Sequence, residues 1–269
     1  GVIEFEIDYM DLAGNYSQSI STTDSSIVRF DKTLPSLDEI TIFSSNLFDS
    51  TLATSGNTAT INFVSDEVIQ TPNVLIEGDT AIVTGDGQHW SAIQVLSQEN
   101  IDGPVDFSID YMDLAGNIGY SDETTDSSGV RFDKTLPIIT DLIVSSSNPS
   151  GSIYALMGDS VILTFSLTED ILGPSVTIGG QEANVEGDST TWSATRVINS
   201  DDTEGLITYN IDYMDLAGNV GIENNDQTTD SSQVVYDQTS PQGYAVNDGS
   251  GGDISFTGSD SMLSANWIS

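Results

Sequence analysis

The sequence predicts an all-β chain: tandem β-sandwich domains strung end to end in a linear, elongated array. Three observations carry this. IDYMDLAGN stands unchanged at residues 7–15, 109–117 and 211–219, so a unit of 102 residues repeats. That length is too long for a solenoid repeat and suits one sandwich domain. Within a unit, apolar residues alternate with polar ones, and Gly, Asn, Asp and Pro clusters punctuate the runs at roughly ten-residue intervals. No segment carries a helical period.

The repeat sets the boundaries. TTDSS recurs at 22–26, 124–128 and 228–232. FDKTLP at 30–35 returns at 132–137 and then as YDQTSP at 236–241. Trp90 matches Trp192, Phe63 matches Phe165 and Pro72 matches Pro174. Residues 1–31 thus read as the C-terminal part of one repeat, 32–133 and 134–237 as two whole repeats, and 238–269 as the start of a further sandwich of another kind. The chain opens inside a repeat, which reads as a piece of a longer polypeptide.

The strands follow in order. ATINFVS at 59–65 alternates as a half-buried strand does, and VILTFSL at 161–167 is its counterpart. WSAIQVL and WSATRVI form a second pair, VDFSIDYM and ITYNIDYM a third. In the third, Phe107, Ile109 and Tyr111 share one face and Ser108 and Asp110 the other. In a seven-stranded sandwich IDYMDLAGN ends the sixth strand and turns into the seventh. Ala and Gly suit a tight turn, and Asn tolerates left-handed backbone. Tyr9, Tyr111 and Tyr213 are expected to point inward with the hydroxyl tied to nearby backbone. This turn-and-core reading leaves the aspartates without a role.

Charge narrows the partners. Five Lys and Arg face 42 Asp and Glu, for a net charge of −37. A phosphate-tracking nucleic-acid binder needs a basic face, so that class is excluded. Anionic lipid is equally disfavoured. There is no cysteine, hence neither disulfide nor thiolate metal site. No apolar run of membrane-spanning length occurs. Cations remain as the natural partners, although a solvated acidic surface adapted to salt accounts for the same composition. Thirty of the 42 acids are Asp, and short carboxylates with Asn are the hard oxygen ligands of calcium loops.

A strand ending D-x-A-G-N, followed by a last strand ending F/Y-D-x-T-x-P, resembles the bacterial immunoglobulin-like repeats of large cell-surface adhesins. Here the motifs are DLAGN at 11–15, 113–117 and 215–219, and FDKTLP, FDKTLP and YDQTSP. The likeness spans residues 1 to 241. The chain departs from the pattern in an insertion, SDETTDSS, before the last strand. The resemblance implies an immunoglobulin-like fold, an extracellular place on a bacterial cell surface, and a stalk role. Several kinds of such repeat bind calcium at domain junctions. The tail from Tyr244 is similar to the opening of a fibronectin type III domain.

In this topology the DLAGN turn of one repeat faces the linker entering it from the repeat before. Asp113 and Asn117 are therefore expected beside Asp31, with Asp66 and Glu67 of the loop after the second strand projecting to the same end. The next junction collects Asp133, Asp215, Asn219, Glu169 and Asp170. Bare, such clusters repel and raise one another's pKa. Calcium, which takes 6–8 oxygens, relieves this and ties the hinge. The rival is a salt bridge, because four of the five cations sit in RFDK, as Arg29, Lys32, Arg131 and Lys134. The third copy has Val235 and Gln238 in those places. Asp24, Asp126 and Asp230 of TTDSS read as loop caps. NDGSGGD at 247–253 reads as a Gly-rich connector.

No catalytic motif is present: G-x-S-x-G, H-E-x-x-H and the P-loop are all missing. His89 is the sole histidine, and its counterpart is a threonine. Carboxylate pairs recur in every copy, which marks architecture and argues against an enzyme. The functional expectation is a calcium-stiffened stalk of an exported adhesin or surface fibre. It is partnered by calcium, by neighbouring domains of the same longer chain and by other copies in a fibre. Two alternatives stay open: a glycan- or protein-binding module acting through its variable loops, and accessory repeats of a secreted enzyme.

Overall fold

A computed structural model describes residues 1–221 and 227–240 of the chain. The tail expected to open a further domain falls outside them from residue 241, NDGSGGD included. The described residues group into two units: Gly1–Pro137 with Met214–Gly221, and Ile138–Tyr213 with 227–240. Every regular element among them is a strand.

In the first unit the strands are β1 (Ile7–Met10), β2 (Tyr16–Ser19), β3 (Leu37–Ser44), β4 (Leu52–Ala53), β5 (Thr58–Ser65), β6 (Asn73–Ile76), β7 (Asp79–Thr80), β8 (Ile82–Gly85), β9 (His89–Val95), β10 (Gly103–Pro104), β11 (Phe107–Met112), β12 (Ile118–Ser121) and β13 (Arg131–Phe132). One sheet runs β3-β5-β9-β8 and the other β12-β11-β6-β7. This is the ABED against GFC order of an immunoglobulin-type sandwich. Alternation in the sequence supplies the inner faces. Ile40 and Ile42, Ile61 and Phe63, Trp90 and Ala92 come from one sheet, and Val74, Ile76, Ile109 and Tyr111 from the other, into one buried cluster. Of their outward neighbours, Asn62 and Asp110 are exposed and Thr41 and Ser91 half-buried.

The inserted SDETTDSS splits the last strand in two. Before it, β12 pairs antiparallel with β11. After it, β13 leaves that sheet and pairs parallel with β4, Arg131 against Leu52 and Phe132 against Ala53. Arg131 and Asp133 N–H donate to Thr51 and Ala53 O, both at 2.8 Å. Val130 and Phe132 thereby plug the core.

The second unit repeats the plan with β14 (Ile139–Ser146), β15 (Tyr154–Ala155), β16 (Ser160–Leu167), β17 (Ser175–Ile178), β18 (Gln181–Glu182), β19 (Asn184–Asp188), β20 (Thr191–Val197), β21 (Gly205–Leu206), β22 (Tyr209–Asp212) and β23 (Val235–Tyr236). Leu142 opposes Phe165 on β14 and β16, as Ile40 opposes Phe63 on β3 and β5. Even the bulge recurs, between Leu37 and Glu39 and between Ile139 and Asp141. Its core is separate, built on Leu142, Leu163, Phe165, Ile178, Ile211 and Tyr236.

Residues 1–31 keep the shape of residues 103–133. β1 and β2 pair in the register of β11 and β12. Yet Ile7, Tyr9, Val28 and Phe30 are 54–64% exposed, whereas Ile109, Tyr111, Val130 and Phe132 are at most 7% exposed. The hairpin's form is local; its burial needs the rest of a sandwich.

Candidate metal centre

The DLAGN turn is built around its aspartate. Asp113 is buried, 1% exposed. Its Oδ1 accepts the N–H groups of Ala115, Gly116 and Asn117 at 2.7–2.8 Å. Its Oδ2 accepts the Asn117 side-chain amide at 2.7 Å. Asp113 N–H donates to Asn117 O at 3.0 Å, closing the loop. Gly116 sits at φ +97°, where a side chain is strained. The turn recurs with two of the three amides: Asp11 Oδ1 accepts Ala13 and Asn15 N–H, Asp215 Oδ1 accepts Gly218 and Asn219 N–H, and each Oδ2 accepts the Asn side-chain amide. The turn therefore does use this aspartate, because its carboxylate replaces the missing acceptors of three consecutive amides. These bonds, Asn117's side chain first, hold Asp113 below the usual carboxylate range against the opposing effect of burial.

Around Asp113 the chain assembles two further acids. Gln70 ties the loop after β5 to the turn: its N–H reaches Met112 O and its side-chain amide Asp113 O, both at 2.8 Å. Asp66 pins the incoming linker, accepting from Ser36 N–H at 2.9 Å while its own N–H donates to Ser36 O at 3.0 Å. These ties bring Asp31, Glu67 and Asp113 together, with one carboxylate oxygen from each within 4.8 Å of the others. Asp66 gives its Oδ1 to the linker and is not one of the three carboxylates that meet. Burial first, then the charges of Asp113, Asp31 and Asp66, push the Glu67 carboxyl up.

No basic group relieves this crowding. Among the described residues the ion pairs within 4.0 Å are Arg196 with Asp202 and His89 with Asp86. The salt-bridge rival is thus not realised at this cluster. Lys134 turns instead to carbonyls of the repeat before it, donating to Gln98 O at 2.6 Å and Asn100 O at 2.7 Å.

The remaining candidates are placed as follows. Asn117 spends its amide on Asp113. Asp133, Asp215 and Asn219 lie in the first unit. Asn219 donates to Asp133 O at 3.0 Å and to Asp215 Oδ2 at 2.8 Å, and its Oδ1 accepts the Thr54 hydroxyl. Asp133 is shifted upward, chiefly by burial and then by Asp215 and Asp102, against the lowering effect of the Thr135 amide. Glu169 and Asp170 belong to the second unit, where the Ser189 hydroxyl donates to Asp170. The tyrosine hydroxyls were expected on backbone; that of Tyr9 instead accepts from the Ser17 side chain at 3.1 Å.

Three carboxylates held this closely, with hard oxygen donors alone, suit a divalent cation of the Ca²⁺ type. Asp113 Oδ1 is saturated by three amides. Its Oδ2 has one donor and keeps a lone pair for a metal, as do the oxygens of Glu67 and Asp31.

No protein-family model matches the chain, and no curated protein matches it. Solved structures resembling it include fibronectin(III)-like modules of Clostridium thermocellum CbhA, at 9% identity over 72% of this chain and 92% of that one, TM-score 0.33. A segment of a 1.5-MDa bacterial ice-binding adhesin is 17% identical over 87% of this chain and 72% of its own, TM-score 0.42. The I9-I11 tandem from titin is 12% identical over 87% and 73%, TM-score 0.34.

Proposed function

We propose that this chain is a stalk segment of an extracellular, cell-surface adhesin, its repeats coupled by Ca²⁺ bound between Asp31, Glu67 and Asp113. The observation that supports the metal is the triad itself: three carboxylates within 4.8 Å, with no Lys or Arg nitrogen of the described residues within 4.0 Å of any of them. The stalk reading rests on the tandem 102-residue units and on the D-x-A-G-N and D-x-T-x-P resemblance. It assigns no reaction.

The site joins the end of one repeat to the next. Asp31 follows the last strand of the partial repeat, while Glu67 and Asp113 belong to the sandwich after it. A cation shared among them restrains the linker and offsets the repulsion on Glu67. Calcium present at about one hundred times its dissociation constant would stabilise the ordered state by about 2.7 kcal/mol.

The test titrates calcium into the EDTA-treated 269-residue chain and follows melting and small-angle scattering. Magnesium and sodium chloride at matched ionic strength control for screening. Asp31→Asn and Glu67→Gln are the informative variants, since Asp113 also builds the turn. Melting should rise by about 10 °C in the wild type and lose most of that gain in each variant. No calcium-specific shift up to about 10 mM, ten times the weakest extracellular sites, would refute the site.

A further inference from the structure

The SDETTDSS insertion does more than interrupt the last strand. Its hydrogen bonds give it a function. In the first unit β3 is a terminal strand of its sheet, with one edge on β5 and the other open. An open edge presents unpaired N–H and C=O groups to any strand that comes near. Here TTDSS lies along that edge. Ile40 N–H donates to Thr125 Oγ1 at 2.9 Å, Thr125 N–H to Ile40 O at 3.0 Å, and Ile42 N–H to Ser128 Oγ at 2.9 Å. Two hydroxyls and one amide thus stand in for a neighbouring strand.

The second unit repeats it. Leu142 N–H donates to Thr229 Oγ1 and Val144 N–H to Ser232 Oγ, each at 2.9 Å, and Thr229 N–H donates to Leu142 O at 2.9 Å. The other letters of the motif shape the strap. Thr124 Oγ1 closes it onto Ser128 O at 2.8 Å, Asp126 Oδ1 accepts Ser128 N–H at 2.9 Å, and Ser127 takes φ +63°. Residues 22–26 adopt this loop too: Thr22 Oγ1 reaches Ser26 O at 2.8 Å, Ser26 N–H reaches Asp24 Oδ1 at 3.0 Å, and Ser25 has φ +60°. Among the described residues no β3-type strand lies beside that copy, so the loop's shape is its own and is not induced by the edge.

We infer that the first-strand edge of each repeat is a strand-accepting surface, that its fitting partner is the same edge of a second copy of this chain, and that TTDSS holds it shut. The copy is the apt partner because Leu37–Ser44 and Ile139–Ser146 are alternating, apolar-faced strands of the same length and nearly the same burial pattern. Laid antiparallel, Ile40 and Ile42 of one copy meet Ile42 and Ile40 of the other and exchange the bonds the strap now makes. A chain of tandem repeats meets this hazard once in each repeat, and the strap removes it in both described sandwiches. The inference is independent of calcium.

The test is a full-length T125V/S128A/T229V/S232A variant, which deletes the reading hydroxyls, beside T125S/S128T/T229S/S232T, which keeps them. Sedimentation in EDTA should show the first variant associating to at least twice its mass as concentration rises, with the second remaining monomeric like the wild type. A folded, monomeric hydroxyl-deleted variant would overturn the inference. So would equal association of both variants. Amide exchange on the wild type adds a reading that does not depend on how the variants fold. The Ile40, Ile42, Leu142 and Val144 amides should exchange at least about tenfold more slowly than unprotected ones. Exchange at the unprotected rate would overturn it.

Discussion

Arg196 and Asp202 form the one buried Lys/Arg ion pair among the described residues, and the repeat supplies its own control. Their side chains are 6% and 3% exposed. Arg196 Nη2 donates to both Asp202 oxygens at 2.7 Å, and Nη1 donates to Ile178 O at 2.9 Å. Gly179 leaves the room: a Cβ there would stand 2.9 Å from Nη1. One repeat earlier the same places hold Gln94 and Asn100. Asn100 Oδ1 accepts Ser97 N–H at 2.7 Å, as Asp202 accepts Asn199 N–H at 2.8 Å. The loop therefore keeps its form without a charge. Arg196→Gln alone leaves a buried carboxylate with a single backbone donor and should cost about 3–5 kcal/mol. For a unit of this size that lowers melting by about 15–30 °C. Adding Asp202→Asn rebuilds the uncharged pair of the first repeat and should recover all but about 1 kcal/mol. Calorimetry and per-residue amide exchange of the full chain would follow the second unit, with the first as internal reference. A loss under about 1 kcal/mol in the single variant, or no recovery in the double, would refute the argument.

Four further outcomes are expected. Without metal, the raised Glu67 carboxyl favours the folded state below the unfolded glutamate pKa, and that favour is lost as pH rises through the folded value. Glu67→Gln should therefore raise the calcium-free melting temperature at pH 7 and flatten its rise toward acid. Asp113 carries the opposite sign, its contribution being lost as pH falls through its lowered pKa, so Asp113→Asn should lower melting less in acid than at neutrality; melting across pH 3–7 reads both. Gly119→Ala would place a Cβ 2.3 Å from the Tyr111 ring and should cost about 1–3 kcal/mol by overpacking, measured by urea unfolding. Gly116→Ala meets no neighbour but must hold φ +97°, and should cost about 1–2 kcal/mol in the same assay.

The fold was legible because it rests on pattern. The alternation in ATINFVS and VILTFSL gives β5 and β16, and the 102-residue spacing gives two separate cores. The meeting of Asp31, Glu67 and Asp113 followed from topology, since the sixth-strand turn and the second-strand loop share an end. What the sequence hid was hydrogen bonding at fixed geometry. Asp113 looked surplus to its turn, but three amides converge on its Oδ1. TTDSS looked like a loop cap, yet two of its hydroxyls serve a strand some 85 residues away. The RFDK cations looked like partners for the acids, and Lys134 chose two carbonyls. Periodicity reports which face a side chain takes; it is silent on which backbone group the side chain will find.

The parallel pairing of β4 with β13 has a mechanical consequence. The chain enters this sandwich just before β3 and leaves just after β13. Tension between those points draws β4 and β13 past each other along their length, so their hydrogen bonds are loaded in shear and must fail together. A terminal strand peeled from its end would yield one bond at a time. By sending the last strand across to β4, the insertion sets the Thr51 and Ala53 carbonyls, and Phe132 in its socket, directly in the path of force.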